Sequence, residues 1–175
     1  MITIRFASFE GSSCMQQNHG PTSSFQAIKE SVQMAKEDDD NGIAQMLSES
    51  GYSDKAIHYF QTRENIGIIE DADQVSDLTG PCGDMMKISL HIERDRIDDA
   101  KIQVLGCPGA VASGCALINL ARGKTLEEAG EIDVDLLYKE LERLPDKKLH
   151  CARLAVKTLQ KALEEYKEKC RKAAN

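Results

Sequence analysis

The feature that most constrains this chain is a change of period near residue 106. Met86, Ile88, Leu90 and Ile92 alternate with Lys87, Ser89 and His91, the two-residue repeat of a half-buried strand. Arg94-Asp95 reads as a turn. Ala100, Ile102 and Val104 then alternate with Lys101 and Gln103 as the hairpin partner. After Gly106-Cys107-Pro108-Gly109 the spacing becomes helical through Val111, Leu117 and Leu120, and Gly123 closes that helix. Thr125 with Glu128 fits a capping box, and Asp133 caps a helix holding Leu136, Leu137, Leu141 and Leu144. Beyond Pro145, with Asp146 expected as cap, Leu149, Ala152, Val156, Leu159, Leu163 and Tyr166 recur at steps of three and four. Upstream, Ser53 caps a short helix with Ile57, Tyr59 and Phe60, and Val75 and Leu78 mark a first strand. Strands precede helices, so the expected class is α+β: a small antiparallel three-stranded sheet packed by helices.

Residues 1–50 read differently. Gly11-Ser12-Ser13 and Gly20-Pro21-Thr22-Ser23-Ser24 are loop-like, with one helical stripe of Phe25, Ile28, Val32 and Ala35 before an Asp38-Asp39-Asp40 break. The expected organisation is a mobile N-terminal extension over 1–50, a folded domain over 51–170 and a tail over 171–175. The extension holds three basic and seven acidic residues and no basic-then-apolar leader, which argues against secretion or import. The expectation is a cytoplasmic protein with reduced thiols. Lys plus Arg number 22 against 29 Asp plus Glu, a net charge of −7, and aromatics are 5%. Those figures disfavour nucleic-acid and anionic-membrane binding, and no apolar run is long enough to span a bilayer.

Six cysteines remain to be explained, and none form a CxxC pair. Cys82 lies in a Pro-Cys-Gly loop before a strand. Cys107 lies between a strand end and a helix start, and Cys151 follows His150 at the start of the last helix. Helix N-termini favour thiolate over thiol, and Gly83, Gly106 and Gly109 allow close approach of a bulky inorganic group. Three thiolates need a fourth donor, and both Asp84 and His150 are placed to supply it. Such a set suits zinc or an iron–sulfur cluster, and one non-thiolate donor makes a cluster less firmly held. Cys115 reads as a small buried helix residue, Cys14 and Cys170 as surface thiols. Gly123-Lys124-Thr125 is not a phosphate loop, because Ile118 stands where the earlier glycine is required. Met85-Met86 is not a copper motif, since alternation puts Met86 in the core.

These segments resemble a known family. Pro81-Cys82-Gly83-Asp84-Met85-Met86-Lys87 is similar to the Cys-Gly-Asp segment of IscU and of the NifU N-terminal domain. Leu105-Gly106-Cys107-Pro108-Gly109-Ala110 resembles its second cysteine loop, Arg122-Gly123-Lys124-Thr125 its Gly-Lys-Thr segment, and Leu149-His150-Cys151 its third cysteine motif. Tyr52 to Gly67 is similar to its opening helix. The resemblance implies an IscU-like scaffold rather than a conventional enzyme. Such a scaffold takes sulfur from a cysteine desulfurase, combines it with iron, holds a labile [2Fe–2S] cluster and passes it to apo acceptor proteins. It implies Cys82, Cys107 and Cys151 as cluster ligands and Cys151 as persulfide acceptor. Asp84 would be a labile or release-easing ligand, and His150 an alternative ligand or supporting group. Zinc can take the same site, and a zinc-binding regulatory module of the desulfurase system is the alternative reading. A homodimer and an Hsp70-type chaperone are partners this reading leaves open. The family's chaperone sequence Leu-Pro-Pro-Val-Lys appears here as Leu144-Pro145-Asp146-Lys147-Lys148, altered in the middle, which counts against chaperone dependence.

Overall fold

A computed structural model of the chain describes residues 41–173. Cys14, the stripe from Phe25 to Ala35 and the first part of the expected extension lie outside the described residues. Residues 41–49 are helical, and Leu47 is buried in the core. The remaining elements run α1 (Asp54–Thr62), β1 (Gln74–Thr79), β2 (Met85–Glu93), β3 (Arg96–Leu105), α2 (Pro108–Ala121), α3 (Leu126–Gly130), α4 (Val134–Leu141), a 3₁₀ turn (Asp146–Lys148) and α5 (Leu149–Ala173).

The period-2 segments form a three-stranded antiparallel sheet in the order β1-β2-β3. Arg94 and Asp95 both take positive φ, 50° and 59°, in the two-residue connection between β2 and β3. A tight hairpin of that hand matches the right-handed twist of its strands. Met86, Ile88, Leu90, Ile97, Ala100 and Ile102 are fully or almost fully buried on the sheet's covered side. Helix α2 packs on β3, and α5 packs on β1 and β2. Most α2 residues from Gly109 to Ala121 are buried, as expected of a helix sandwiched between the sheet and α1, α4 and α5. Cys115 is one of them, 1% exposed, and burial pushes its thiol pKa up.

The expected caps form. The Ser53 hydroxyl accepts from the Ala56 amide, Thr125 and Glu128 make a reciprocal capping box, and Asp133 accepts from the Leu136 amide. Gly123 takes φ +77° just past α2. One expectation is corrected: Asp146 does not cap the last α-helix. Pro145 leaves the chain extended at ψ 141°, and Lys148 N–H closes onto the Pro145 carbonyl at 2.7 Å, so a 3₁₀ turn intervenes before α5 begins at Leu149. Cys170 is exposed, and it sits within α5 rather than beyond it. No helix among the described residues is long and apolar enough to cross a membrane.

Candidate metal centre

Three chain segments bring donor atoms to one end of the sheet. The first is the β1–β2 connection. Gly83 N–H bonds the Gly80 carbonyl at 3.0 Å and Gly80 N–H bonds the Asp84 carbonyl at 2.8 Å, which folds residues 80–84 into a tight turn. Gly83 takes φ +86°, a conformation a side chain would resist. Cys82 is exposed at this tip. The second segment is the end of β3. Cys107 is the N-cap of α2, extended at φ −76° and ψ 167°, with Pro108 in the first turn. Its side chain does not cap the helix. The third is the start of α5, which carries His150 and Cys151.

The structure brings these residues together in two overlapping groups. Ligand atoms of Cys82, Asp84 and His150 lie within 4.8 Å of one another, and so do those of Asp84, Cys107 and Cys151. Asp84 belongs to both groups. Cys151 Sγ is 3.6 Å from Cys107 Sγ, 3.7 Å from Asp84 Oδ2 and 3.4 Å from His150 Nε2. Two soft sulfurs beside a carboxylate, with an imidazole and a third thiol adjoining, suit iron, zinc or a small iron–sulfur cluster.

The two close thiols differ electrostatically. The hydrogen bond from Cys151 holds the Cys107 thiol well below its ordinary range; burial opposes this, while the Ala110 amide and the Lys148 ammonium assist. Cys151 moves up, because it donates to Cys107, is buried, and faces the negative charge of Cys107 and Asp84. The two shifts run in opposite directions, and Cys107 is the more easily ionised of the pair. Cys107 is half-buried and Cys151 wholly buried.

Two residues at the site were not singled out by spacing. Tyr52 is 4% exposed, and its hydroxyl lies 3.2 Å from where a β-carbon on Gly109 would stand. The Lys148 stem crosses the same spot at 3.2–3.3 Å. Hydrogen bonding to Cys107 raises the Lys148 pKa. Burial and the Cys107 charge raise that of the Tyr52 phenol. The nearest local signal is that Tyr52 immediately precedes the Ser53 cap, a position that often holds an apolar anchor.

Comparison with known proteins agrees with this architecture. Residues 51–173 match the model of the NifU-like N-terminal domain. The iron–sulfur cluster assembly scaffold protein IscU 1 of Archaeoglobus fulgidus is 42% identical over 116 residues, 66% of this chain and 76% of that protein. The scaffold protein IscU of Haemophilus influenzae is 35% identical over 123 residues, 67% of this chain and 97% of its own length. A solved structure from Fervidobacterium islandicum, described as an iron–sulfur cluster assembly scaffold for the SUF system, superposes with a TM-score of 0.54 at 26% identity. It covers 64% of this chain and 96% of that one. By sequence over most of its length, and by fold, this chain belongs to the NifU-like N-terminal domain family, the family of the IscU scaffold proteins.

Proposed function

We propose that this scaffold protein builds a [2Fe–2S] cluster on Cys82, Cys107 and Cys151, with Asp84 or His150 as the fourth donor, and hands it to apo acceptor proteins. The cluster is cargo rather than a resident cofactor. The observation that carries the reading is the pair of overlapping donor groups that share Asp84. A carboxylate within reach of two sets of donors can bind a metal and also let it go, whereas thiolates alone hold a cluster firmly.

Sulfur arrives, in this reading, from the persulfide of a cysteine desulfurase, and Cys151 accepts it. The Cys151 thiolate attacks the outer sulfur, a new S–S bond forms on Cys151, the old one breaks, and the desulfurase cysteine leaves as a thiolate. The departing desulfurase thiolate takes up the proton that Cys151 gives up, so the exchange balances. Because Cys151 is buried, its neighbours must part before the donor can reach it. Conversion of the delivered sulfur to bridging sulfide then draws two electrons from an external electron carrier.

The test is anaerobic purification, followed by a visible spectrum with iron, labile-sulfide and zinc analysis on one sample. A charge-transfer spectrum with equal iron and sulfide, lost on transfer to an apo acceptor, is the expected result. Ala at Cys107 should abolish stable cluster binding, and Ala at Cys170 should not. Zinc alone, resisting exchange when desulfurase, cysteine and ferrous iron are supplied, would favour a zinc-binding regulatory module. A full cluster on the Cys107→Ala chain would overturn the site.

A further inference from the structure

Strand register explains how Asp84 reaches both donor groups. Met85 pairs with Leu105, so one step outward along the ladder Asp84 comes opposite Gly106. The Asp84 backbone is fixed there by the bond from Gly80 N–H to its carbonyl. Directly opposed residues on antiparallel strands normally keep their β-carbons about 4.5–5.5 Å apart. Here the aspartate leans across the strand end into the space a side chain on residue 106 would fill. A β-carbon on Gly106 would stand 2.8 Å from Asp84 Cγ and Oδ1 and 3.0 Å from its Cβ. Those separations are far inside van der Waals contact. Gly106 is not among the glycines with positive φ, so alanine meets no left-handed strain there. What it meets is the carboxylate.

We propose that Gly106 is a positioning residue for Asp84: its missing side chain is the slot that lets the carboxylate lie between the two donor groups, and so it sets how readily the cargo leaves. This rests on the reading of Asp84 as a release-easing ligand. Gly106→Ala moves Asp84 aside without removing any donor atom and slows release as Asp84→Ala does.

The experiment compares the full-length wild-type chain with Gly106→Ala, Asp84→Ala and the double variant, each loaded anaerobically. Release to a chelator is followed by visible absorbance. The same four chains are loaded with cobalt(II) alone, whose spectrum reports the donor set. Gly106→Ala is expected to slow release several-fold, to share the cobalt spectrum of Asp84→Ala, and to add nothing in the double variant. Wild-type release and spectrum in Gly106→Ala, beside slowed release in Asp84→Ala, would overturn the slot and leave the role of Asp84 standing. Unchanged release in Asp84→Ala would overturn that role, while the cobalt spectra would still decide whether residue 106 places the carboxylate. Additive slowing in the double variant would show Gly106 acting by another route and overturn the proposal. Should Gly106→Ala fail to fold, the Asp84→Gly/Gly106→Ala chain removes all three struck atoms. Recovered folding supports the slot, and continued failure overturns it.

Discussion

Cys107 and Cys151 are shifted in opposite directions by what faces them. The Lys148 ammonium acts on both thiols, favouring thiolate at each. Removing it raises the pKa of Cys107. In the metal-free protein, the pH profile for alkylation of Cys107, followed by peptide mass mapping, should therefore move to higher pH in Lys148→Met. It should return towards wild type in Lys148→Arg, where the charge is restored. An unmoved profile in Lys148→Met would remove Lys148 from the electrostatics of the site. Cys115 serves as the internal contrast: its buried thiol, raised by desolvation, should stay unmodified in the folded chain under the same conditions.

At the scale of elements, Ser53 ties the front of the domain to the loop that leads to the third cysteine. Its hydroxyl accepts from the Ala56 amide and donates to the Leu141 carbonyl. Its own amide bonds the Arg143 carbonyl at 3.1 Å, and the Arg143 side chain returns to the Gly51 carbonyl at 3.1 Å. Ser53→Ala should cost about 1–2 kcal/mol in urea or thermal unfolding, the loss of an N-cap plus a buried partner. Such elements were readable in the chain because they rest on local rules. The alternation of Met86 to Ile92 admits little but a strand, and Thr125-Glu128 and Asp133 cap helices wherever helices begin. The cysteine segments were readable as well, since each ends or starts an element. Long-range features were not. Tyr52 and Lys148 are far apart in sequence and meet over Gly109 only through packing. Asp84 faces Gly106 only because β2 and β3 pair in one register, and a shift of one residue would have turned it away. The 3₁₀ turn after Pro145 escaped notice because Asp146 looks like an ordinary cap.

Across the whole molecule, a polar chain runs through the helical layer. Lys55 pairs with Glu140 at 3.0 Å, the Tyr59 hydroxyl donates to Glu140 at 2.7 Å, and Asn119 donates to Tyr59 at 3.2 Å. Asn65 donates to Asn119 at 2.8 Å, and Arg122 reaches Asn65 at 3.2 Å. Burial works against the Glu140 charge, but the Tyr59 bond and Lys55 prevail, and its carboxyl sits below the usual range. A depressed folded-state pKa contributes stability that is present above the unfolded carboxyl pKa and is lost as pH falls through the folded one. Tyr59→Phe should consequently lose stability at neutral pH, and its difference from wild type in urea unfolding should shrink as pH falls through the folded-state pKa of Glu140. Occupancy should act on the same scale. Zinc at 100 times its dissociation constant should stabilise the fold by about 2.7 kcal/mol, reversed by chelator. The 25-residue helix α5 has a use beyond packing. Cys151 lies at its start and the exposed Cys170 near its end, and at 1.5 Å per residue the two are about 28 Å apart. A Cys14→Ser chain labelled at Cys170 while its cargo shields the other thiols would carry a ruler of fixed length. With cobalt(II) as the paramagnetic cargo, relaxation along it would tell whether the far end is full or empty.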